Sequence, residues 1–347
     1  MSHRLFLQAA LVPFLHAALA PFLVLALAGL VIVDAQLQYA NKQSPLRFKN
    51  CKPASIKNMI VFGDSFSDTG NVFQLSKGTW PRPTYYRDGR FSNGPVWSDY
   101  VAADRQLSLT NFAFGGATTD SKVVQGYSGS GSDIPVPGFI QQIEDYYLAG
   151  GFSLDTTAMD STLFVVNFQG NDFLFDATVG TETVLANIER GIRRLVQVGA
   201  KHMIVVQNFD IGMVPFFRWN ETLSQQNSAL AKKQHDEYQD LIRRLAEEYG
   251  RPLRGGNKAF YNCMDSSSMS ASSRKVNITF FDLFALFKRL NSPQQLKRMG
   301  ITDVIHGCVS DDAITGCLDP ESHFFYDSFH PSTKVHREVA DGILQLF

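Results

Sequence analysis

Two short polar stretches, far apart in the chain, carry side chains suited to nucleophilic catalysis. The stretch IVFGDSFSDTGNVF (60–73) places Ser65 directly after a short apolar run. Near the carboxyl end, HFFYDSFHPS (323–332) places Asp327 three residues before His330. A serine hydroxyl becomes a good nucleophile when an imidazole takes its proton and a carboxylate orients that imidazole. These residue types predict Ser65 as nucleophile, His330 as general base and Asp327 as its partner.

Other interpretations of the same residues remain open at this point. Ser67 lies in the same polar loop as Ser65, and an isolated Asp-x-x-His pair is also typical of a surface turn. His323, Asp327 and His330 could instead bind a metal ion, but the sequence shows no further cluster of ligands beside them. The sequence therefore predicts no metal site.

Two further motifs supply hydrogen-bond donors for the oxyanion of an acyl-transfer reaction. NFAFGGATT (111–119) places Gly115 and Gly116 after a second apolar run, where a glycine can bring its backbone N–H close to a substrate. FQGNDF (168–173) places Asn171, with its side-chain amide, after a third run. Alone, each motif is typical of a turn, but the four motifs together provide every group that ester hydrolysis needs.

These motifs resemble the SGNH, or GDSL-type, lipase/acylhydrolase family. The matching blocks are FGDSFSDTGN, NFAFGGA, GND and DSFHPS, and GRFSNGPVW (89–97) resembles the segment after the first block in secreted fungal, plant and bacterial members. The resemblance covers about residues 57 to 347. It implies the Ser65, Asp327 and His330 roles above, with an oxyanion hole of Ser65, Gly115 and Asn171 and no cofactor. Gly116 is the alternative to Gly115, and the family's GDSL reads GDSF here.

Five apolar runs, rich in β-branched or aromatic residues, predict strands. Near-continuous apolar strands are typical of a parallel sheet that is buried on both faces. The runs are 58–63, 109–115, 162–170, 201–208 and 276–283.

Helical patterns lie between and after these runs, at 95–106, 181–200, 228–250 and 332–347. Alternating strands and helices predict a three-layer α/β/α domain with a mainly parallel five-stranded sheet. The family resemblance implies the flavodoxin-like version of this fold.

The amino-terminal segment predicts export. His3 and Arg4 precede a long stretch without charged residues, which ends near small residues at Ala35. We expect residues 1–35 to be a signal peptide, with an uncleaved membrane anchor as the alternative because the run is long enough to span a bilayer. Residues 36–56 are expected to be a polar lead-in segment, and residues 57–347 a single hydrolase domain.

The cysteines and sequons are consistent with an extracellular protein. The chain has 4 cysteines, an even number, and we expect the pairs Cys308–Cys317 and Cys51–Cys263. Asn220 and Asn277 begin N-x-Thr sequons. A formal net charge of -1 disfavours a nucleic-acid partner, and membrane contact is expected only if the amino-terminal segment is uncleaved.

The predicted function is therefore that of a secreted serine esterase. We expect short-chain or acetyl esters, such as those of cell-wall carbohydrates, with lipase or lysophospholipase activity on longer chains as the alternative. Trp80, Tyr85, Tyr86, Phe91 and Trp97 could line the site or merely fill the core. A non-catalytic protein that retained the fold is the alternative of another class. The sequence contains no G-x-S-x-G, H-E-x-x-H or phosphate-binding P-loop motif.

Overall fold

The strands of the computed structural model include one at each of the five apolar runs. The structure describes residues 51–53, 55–151, 156–168, 170–249, 261–263, 276–311 and 313–346. Numbered in chain order, the strands are β1 (Cys51–Pro53), β2 (Asn58–Gly63), β3 (Ser108–Asn111), β4 (Gly126–Ser128), β5 (Ile134–Val136), β6 (Thr162–Asn167), β7 (His202–Val206), β8 (Tyr261–Cys263), β9 (Asn277–Phe281), β10 (Asp303–Gly307) and β11 (His323–Phe325).

The central sheet contains β2, β3, β6, β7 and β9, all parallel, in the spatial order β3-β2-β6-β7-β9. Numbered within this sheet alone, the order is 2-1-3-4-5, which is the flavodoxin-like doubly wound arrangement. Three pairs of short strands lie outside it: β1 with β8, β4 with β5, and β10 with β11. The predicted fold class is confirmed.

Both faces of the central sheet are buried. Successive side chains of a strand point to opposite sides, so each strand contributes to the hydrophobic cluster on either face. Met59 and Val61 of β2 enter one hydrophobic cluster, and Ile60 and Phe62 enter the other. The first cluster is covered by helices from 97–105, 283–290 and 333–344, and the second by helices from 181–197 and 221–249. The sheet and the helices on its two faces are the three layers of the α/β/α fold.

The helices follow the predicted patterns with shifted ends. The α-helical segments are Asn71–Leu75, Trp97–Arg105, Phe139–Gln141, Thr156–Asp160, Asn171–Phe175, Thr181–Gln197, Pro215–Arg218, Glu221–Tyr249, Leu283–Leu290, Pro293–Met299 and Thr333–Leu344. A π-helical segment, Gln142–Leu148, continues the third of these, and short 3-10 turns occupy Ile211–Met213 and Pro320–Ser322.

The ends of two predicted strands differ from the sequence expectation. In the run 109–115, β3 ends at Asn111, whose side chain accepts a hydrogen bond from the Ala113 N–H, while the Phe112 and Phe114 N–H groups still donate to carbonyls of β2. The run 276–283 ends at Phe281, because Asp282 caps the next helix by accepting from the Ala285 N–H.

The described residues form one compact unit. Within the described residues, no helix combines the length and apolarity needed to cross a bilayer. The predicted signal peptide and most of the lead-in segment lie outside the described residues.

The structure contains the predicted Cys308–Cys317 disulfide. The backbone register of β1 and β8 places Cys51 opposite Cys263. Because the side chains of those two residues are outside the described part of the chain, their pairing stays a prediction.

Candidate active site

Ser65 lies in a tight turn just beyond the carboxyl end of β2, where Asp64 and Ser67 fold the backbone back. The Asp64 carboxylate accepts from the Phe66 N–H, and the Asp64 carbonyl accepts from the Ser67 N–H. The turn begins where β2 meets β6 so closely that a Cβ on Gly63 would lie 2.6 Å from the Asn167 carbonyl oxygen. Ser65 is thus held at the point where the strand order of the sheet reverses, which is where doubly wound folds bind ligands.

The structure brings Ser65, His330 and Asp327 together in a hydrogen-bonded row. His330 Nε2 lies 2.7 Å from Ser65 Oγ, and His330 Nδ1 lies 2.8 and 2.9 Å from the two Asp327 carboxylate oxygens. A carboxylate can only accept, so Nδ1 carries the imidazole proton and Nε2 is left to accept the Ser65 proton. This is the arrangement that general-base activation of a serine requires.

Asp327 is fixed by its own turn and by a tyrosine. Its Oδ1 accepts from the backbone N–H groups of Phe329 and His330, each at 2.8 Å, and its Oδ2 accepts from the Tyr86 hydroxyl at 2.8 Å. Burial by itself would raise the pKa of Asp327, but the His330 charge and these hydrogen bonds outweigh it, so the net shift is downward. Asp327 therefore stays ionised beside the imidazole.

The first two sequence motifs are joined by the side chain of Asp68. Asp68 is fully buried and accepts from four backbone N–H groups, those of Gly70, Asn71, Val72 and Gly115. Burial raises its pKa to about 6, against the lowering effect of those four donors. Asp68 thus links the nucleophile loop to the Gly-Gly loop and does not face the Ser65 hydroxyl.

The predicted role of Gly115 does not fit this geometry. Its N–H donates to Asp68 Oδ2 at 2.9 Å, and the residue is buried. Gly116 is the better candidate: it is partly exposed, and its N–H has no hydrogen-bond partner among the described residues. Gly116 has φ +85°, and a Cβ there would lie 2.0 Å from the Tyr127 carbonyl oxygen, so this position requires glycine. The family resemblance implied Gly115, with Gly116 as the alternative, because a Gly-Gly pair does not reveal which backbone N–H is already hydrogen-bonded within the protein.

Asn171 lies on the other side of the Ser65 turn, after β6. One of its side-chain N–H groups donates to the Ala117 carbonyl at 2.9 Å, which fixes the amide against the Gly-Gly loop. The adjacent Asp172 is buried and accepts from the backbone and hydroxyl of Thr119. Because β3, β2 and β6 are neighbours, the loops that carry Gly116, Ser65 and Asn171 meet at one edge of the sheet.

Three of the five aromatic residues after the first motif fill the core, whereas Trp80 and Tyr85 are half-buried. Trp97 is fully buried and donates from Nε1 to Ser67 Oγ, and Phe91 and Tyr86 are also buried. Phe91 packs against His330, with 5.2 Å between ring centroids. From the sequence, Tyr86 was expected either to line the site or to fill the core, and the bond from its hydroxyl to Asp327 was not foreseen. Its contact spans 241 positions, and no local pattern signals it.

The described residues contain one group of three side chains close enough to share a metal ion, Cys308, Cys317 and His323. The two cysteines are joined in a disulfide, so they offer no thiolates. The alternative site of His323, Asp327 and His330 is not assembled as a group of three ligands in the described part of the chain.

A family model for GDSL-like lipase/acylhydrolase matches residues 59–343. The chain belongs to this family. The match extends from the second residue of β2 to the carboxyl-terminal helix, so it includes all but the first residue of the central sheet and all four motifs. As a GDSL-like member, the chain is an ester hydrolase.

Three curated relatives of this GDSL hydrolase illustrate the range of the family. The chain is 28% identical over 309 residues to the thermolabile hemolysin of Vibrio parahaemolyticus, with 85% of this chain and 64% of the relative covered. It is 24% identical to a GDSL esterase/lipase of Arabidopsis thaliana, covering 84% of this chain and 91% of the relative. It is 24% identical to the phosphatidylcholine-sterol acyltransferase of Aeromonas hydrophila, covering 84% of this chain and 89% of the relative. The chain thus spans less than two thirds of the hemolysin.

Proposed function

We propose that this GDSL hydrolase cleaves carboxylic esters through an acyl-enzyme on Ser65. The observation that carries the proposal is the row from Ser65 Oγ through the His330 imidazole to the Asp327 carboxylate. Ser65 Oγ attacks the ester carbonyl carbon while His330 Nε2 takes the hydroxyl proton. The tetrahedral intermediate then collapses, the bond to the alkoxy oxygen breaks, and His330 returns that proton to the departing alcohol.

The second half of the reaction repeats these steps with water. His330 Nε2 takes a proton from water as the water oxygen attacks the acyl carbon, and it gives that proton to Ser65 Oγ as the acid leaves. Asp327, held ionised by its hydrogen bonds, stabilises the imidazolium formed in each half. Every proton that leaves a nucleophile is thus returned to a leaving group, and no cofactor enters the cycle.

We assign the oxyanion hole to the Ser65 N–H, the Gly116 N–H and the side-chain amide of Asn171. The Ser65 N–H, like that of Gly116, has no hydrogen-bond partner among the described residues. Asn171 uses one amide hydrogen on Ala117 and keeps the other for a substrate. Donors already fixed in place need no rearrangement when charge develops on the carbonyl oxygen.

For the substrate, the surface beside His330 favours the longer apolar acyl chain over an acetyl group. Phe329 lies next to His330, with 6.4 Å between ring centroids, and Phe216 stacks on Phe329 at 4.6 Å. Phe216 is 40% exposed, and Trp219, one turn further along, is 75% exposed. Exposed aromatic side chains at this position can contact a long apolar acyl chain, whereas an acetyl group is too short to reach them.

The oxyanion side has a similar apolar character. Tyr127 and Leu174 are exposed, and Tyr127 contacts Phe175, which ends the short helix begun by Asn171. The name of the acyltransferase relative also refers to a phospholipid. We therefore propose that the substrate is a lipid or lysophospholipid ester with a long acyl chain, and we retain acetylated carbohydrate as the competing substrate. We also propose that the protein is exported from the cell.

An ester panel with wild type and Ser65→Ala tests the proposal. The panel runs from p-nitrophenyl acetate to palmitate, with acetylated xylo-oligosaccharide and lysophospholipid beside it. We expect Ser65→Ala to lose all measurable turnover, and kcat/KM of the wild type to rise with acyl length, since each buried methylene contributes about 0.8 kcal/mol. Equal activity of the two proteins would refute the acyl-enzyme and favour the non-catalytic alternative. A maximum at acetate would refute only the proposed chain length.

A further inference from the structure

Tyr86 makes a contact that the minimal ester-hydrolysis mechanism does not use. Its hydroxyl donates to Asp327 Oδ2 at 2.8 Å, and the same oxygen lies 2.8 Å from His330 Nδ1. Tyr86 is only 6% exposed, so water does not compete freely for this bond. Burial, with the Asp327 charge beside it, raises the pKa of Tyr86, so the hydroxyl keeps its proton and acts as a donor.

The ring of Tyr86 is held from several sides. It packs edge-on against Tyr326, with 5.4 Å between centroids, and against Phe91 at 6.2 Å. It also belongs to a small hydrophobic cluster with Val309 and Ala313. The rotamer that aims the hydroxyl at Asp327 is therefore set by packing.

The disulfide-closed loop 308–317 supplies much of this support. Cys308 joins the same hydrophobic cluster, and the Cys308–Cys317 bridge closes the loop. The Tyr85 hydroxyl donates to the Ile314 carbonyl of this loop, and the Tyr326 hydroxyl donates to the Tyr85 carbonyl. The segment that carries Tyr86 is thus anchored to the loop on one side and to the Asp327 turn on the other.

We propose that Tyr86 is a positioning residue for the Asp327–His330 pair, held in place by the disulfide-closed loop 308–317. The inference rests on the proposed esterase mechanism, because it concerns how the base of that mechanism is set. The hydroxyl fixes the plane of the carboxylate and takes up part of its negative charge. Asp327 is then a weaker hydrogen-bond acceptor toward His330 Nδ1, and the imidazole is less basic than an Asp-His pair alone would make it.

Other ionisable groups near this pair do not duplicate the effect. The Tyr326 hydroxyl donates to the Tyr85 carbonyl and not to Asp327. The negative charge of Asp311 contributes to raising the pKa of Tyr86, which keeps the Tyr86 hydroxyl protonated. His336, on the carboxyl-terminal helix, has a pKa lowered to about 3 by burial and by the His330 charge, so it stays neutral. Among the described side chains, Tyr86 is the one hydrogen-bond donor to the Asp327 carboxylate other than His330.

Tyr86→Phe tests the proposal, because it keeps the ring and removes only the hydroxyl. We expect kcat/KM to fall roughly tenfold, the scale of a hydrogen bond to a charged group, with KM little changed. The freed carboxylate should stabilise the imidazolium, so the acidic limb of the pH profile of kcat/KM should move to higher pH. Tyr238→Phe is the matched control: it removes the hydroxyl of a buried tyrosine in the other large hydrophobic cluster, where that hydroxyl bonds to no described residue, and its acidic limb should stay in place.

A second measurement does not depend on turnover. In the Ser65→Ala background, the NMR resonance of the His330 Nδ1 proton reports the bond to Asp327. We expect Tyr86→Phe to move it downfield, because the Asp327 oxygen no longer shares its charge with the tyrosine. An unmoved pH limb and an unmoved resonance in a folded Tyr86→Phe protein would overturn the proposal, as would equal shifts in Tyr238→Phe. Either result leaves the acyl-enzyme on Ser65 standing, since Ser65→Ala tests that intermediate separately.

Discussion

His330 Nε2 lies 2.7 Å from Ser65 Oγ, although 265 positions separate the two residues along the chain. Ser65 follows the first strand of the sheet, and His330 immediately precedes the carboxyl-terminal helix at Thr333–Leu344. That helix packs against the Trp97–Arg105 helix, and the Trp97 N–H donates to His336 Nδ1 at 3.3 Å. The first and last parts of the domain are thus locked together around the reacting pair.

His330→Ala should lower kcat by on the order of 10⁴, the scale of triad deletions. Asp327→Asn should cost a comparable factor, because an amide donor opposite Nδ1 favours the tautomer that cannot accept the Ser65 proton. Single-turnover kinetics with a p-nitrophenyl ester measures both. A loss of only a few-fold in His330→Ala would show that another group acts as the base.

Ser67→Ala should reduce stability and leave the chemistry largely intact. Ser67 is fully buried, donates to Asn167 Oδ1 at 2.8 Å and accepts from Trp97 Nε1 at 3.0 Å. Removing the hydroxyl leaves Asn167 Oδ1 and Trp97 Nε1 without this partner, which should lower the free energy of unfolding by about 1–3 kcal/mol for each of them. Urea denaturation should show a lower free energy of unfolding for Ser67→Ala and an unchanged one for Ser65→Ala. The value of kcat should fall in Ser65→Ala and stay close to wild type in Ser67→Ala. Loss of turnover in a fully stable Ser67→Ala protein would reopen the choice of nucleophile.

Asn171→Ala should lower kcat by roughly 10²–10³ with little change in KM, as is usual for the loss of one oxyanion donor. The amide acts on charge that exists only in the transition state, so binding of the ground-state ester is spared. Steady-state kinetics on one ester separates the two parameters. A rise in KM at constant kcat would instead assign Asn171 to substrate binding.

His336→Asn should make the protein less sensitive to acid. His336 is fully buried, and burial lowers its pKa from 6.5 to about 3, so the folded state holds it neutral while the unfolded chain protonates it. Its contribution to stability is present above pH 6.5 and is lost as the pH falls toward 3. Between pH 7 and about pH 4.5, wild type should lose roughly 2–3 kcal/mol more of its unfolding free energy than the variant.

Urea denaturation at the two pH values measures that difference. Asn can still accept from the Trp97 N–H, which makes the variant a conservative one. Parallel acid sensitivity in the two proteins would show that other groups carry the pH dependence.

The sheet was predictable because its signal is local. Apolar runs such as 58–63 and 201–208 are too continuous for a half-exposed strand, and their burial on two faces requires the parallel, helix-covered arrangement. Strand ends were less predictable. Phe280 and Phe281 continue the apolar character of β9 into Leu283, and only the Asp282 cap separates the strand from the next helix.

Within the active site, residue types were readable from the sequence, whereas their hydrogen-bond commitments were not. Ser65, Asn171, Asp327 and His330 are each the chemically apt residue of a short motif, so the sequence alone selected them. The choice between Gly115 and Gly116 depended on where Asp68 places its carboxylate, which is a contact 47 positions away. The sequence determined the chemistry because side-chain type limits what each group can do. The tertiary structure decided which donors are free and which tyrosine reaches Asp327, because those contacts join segments that only the folded sheet brings together.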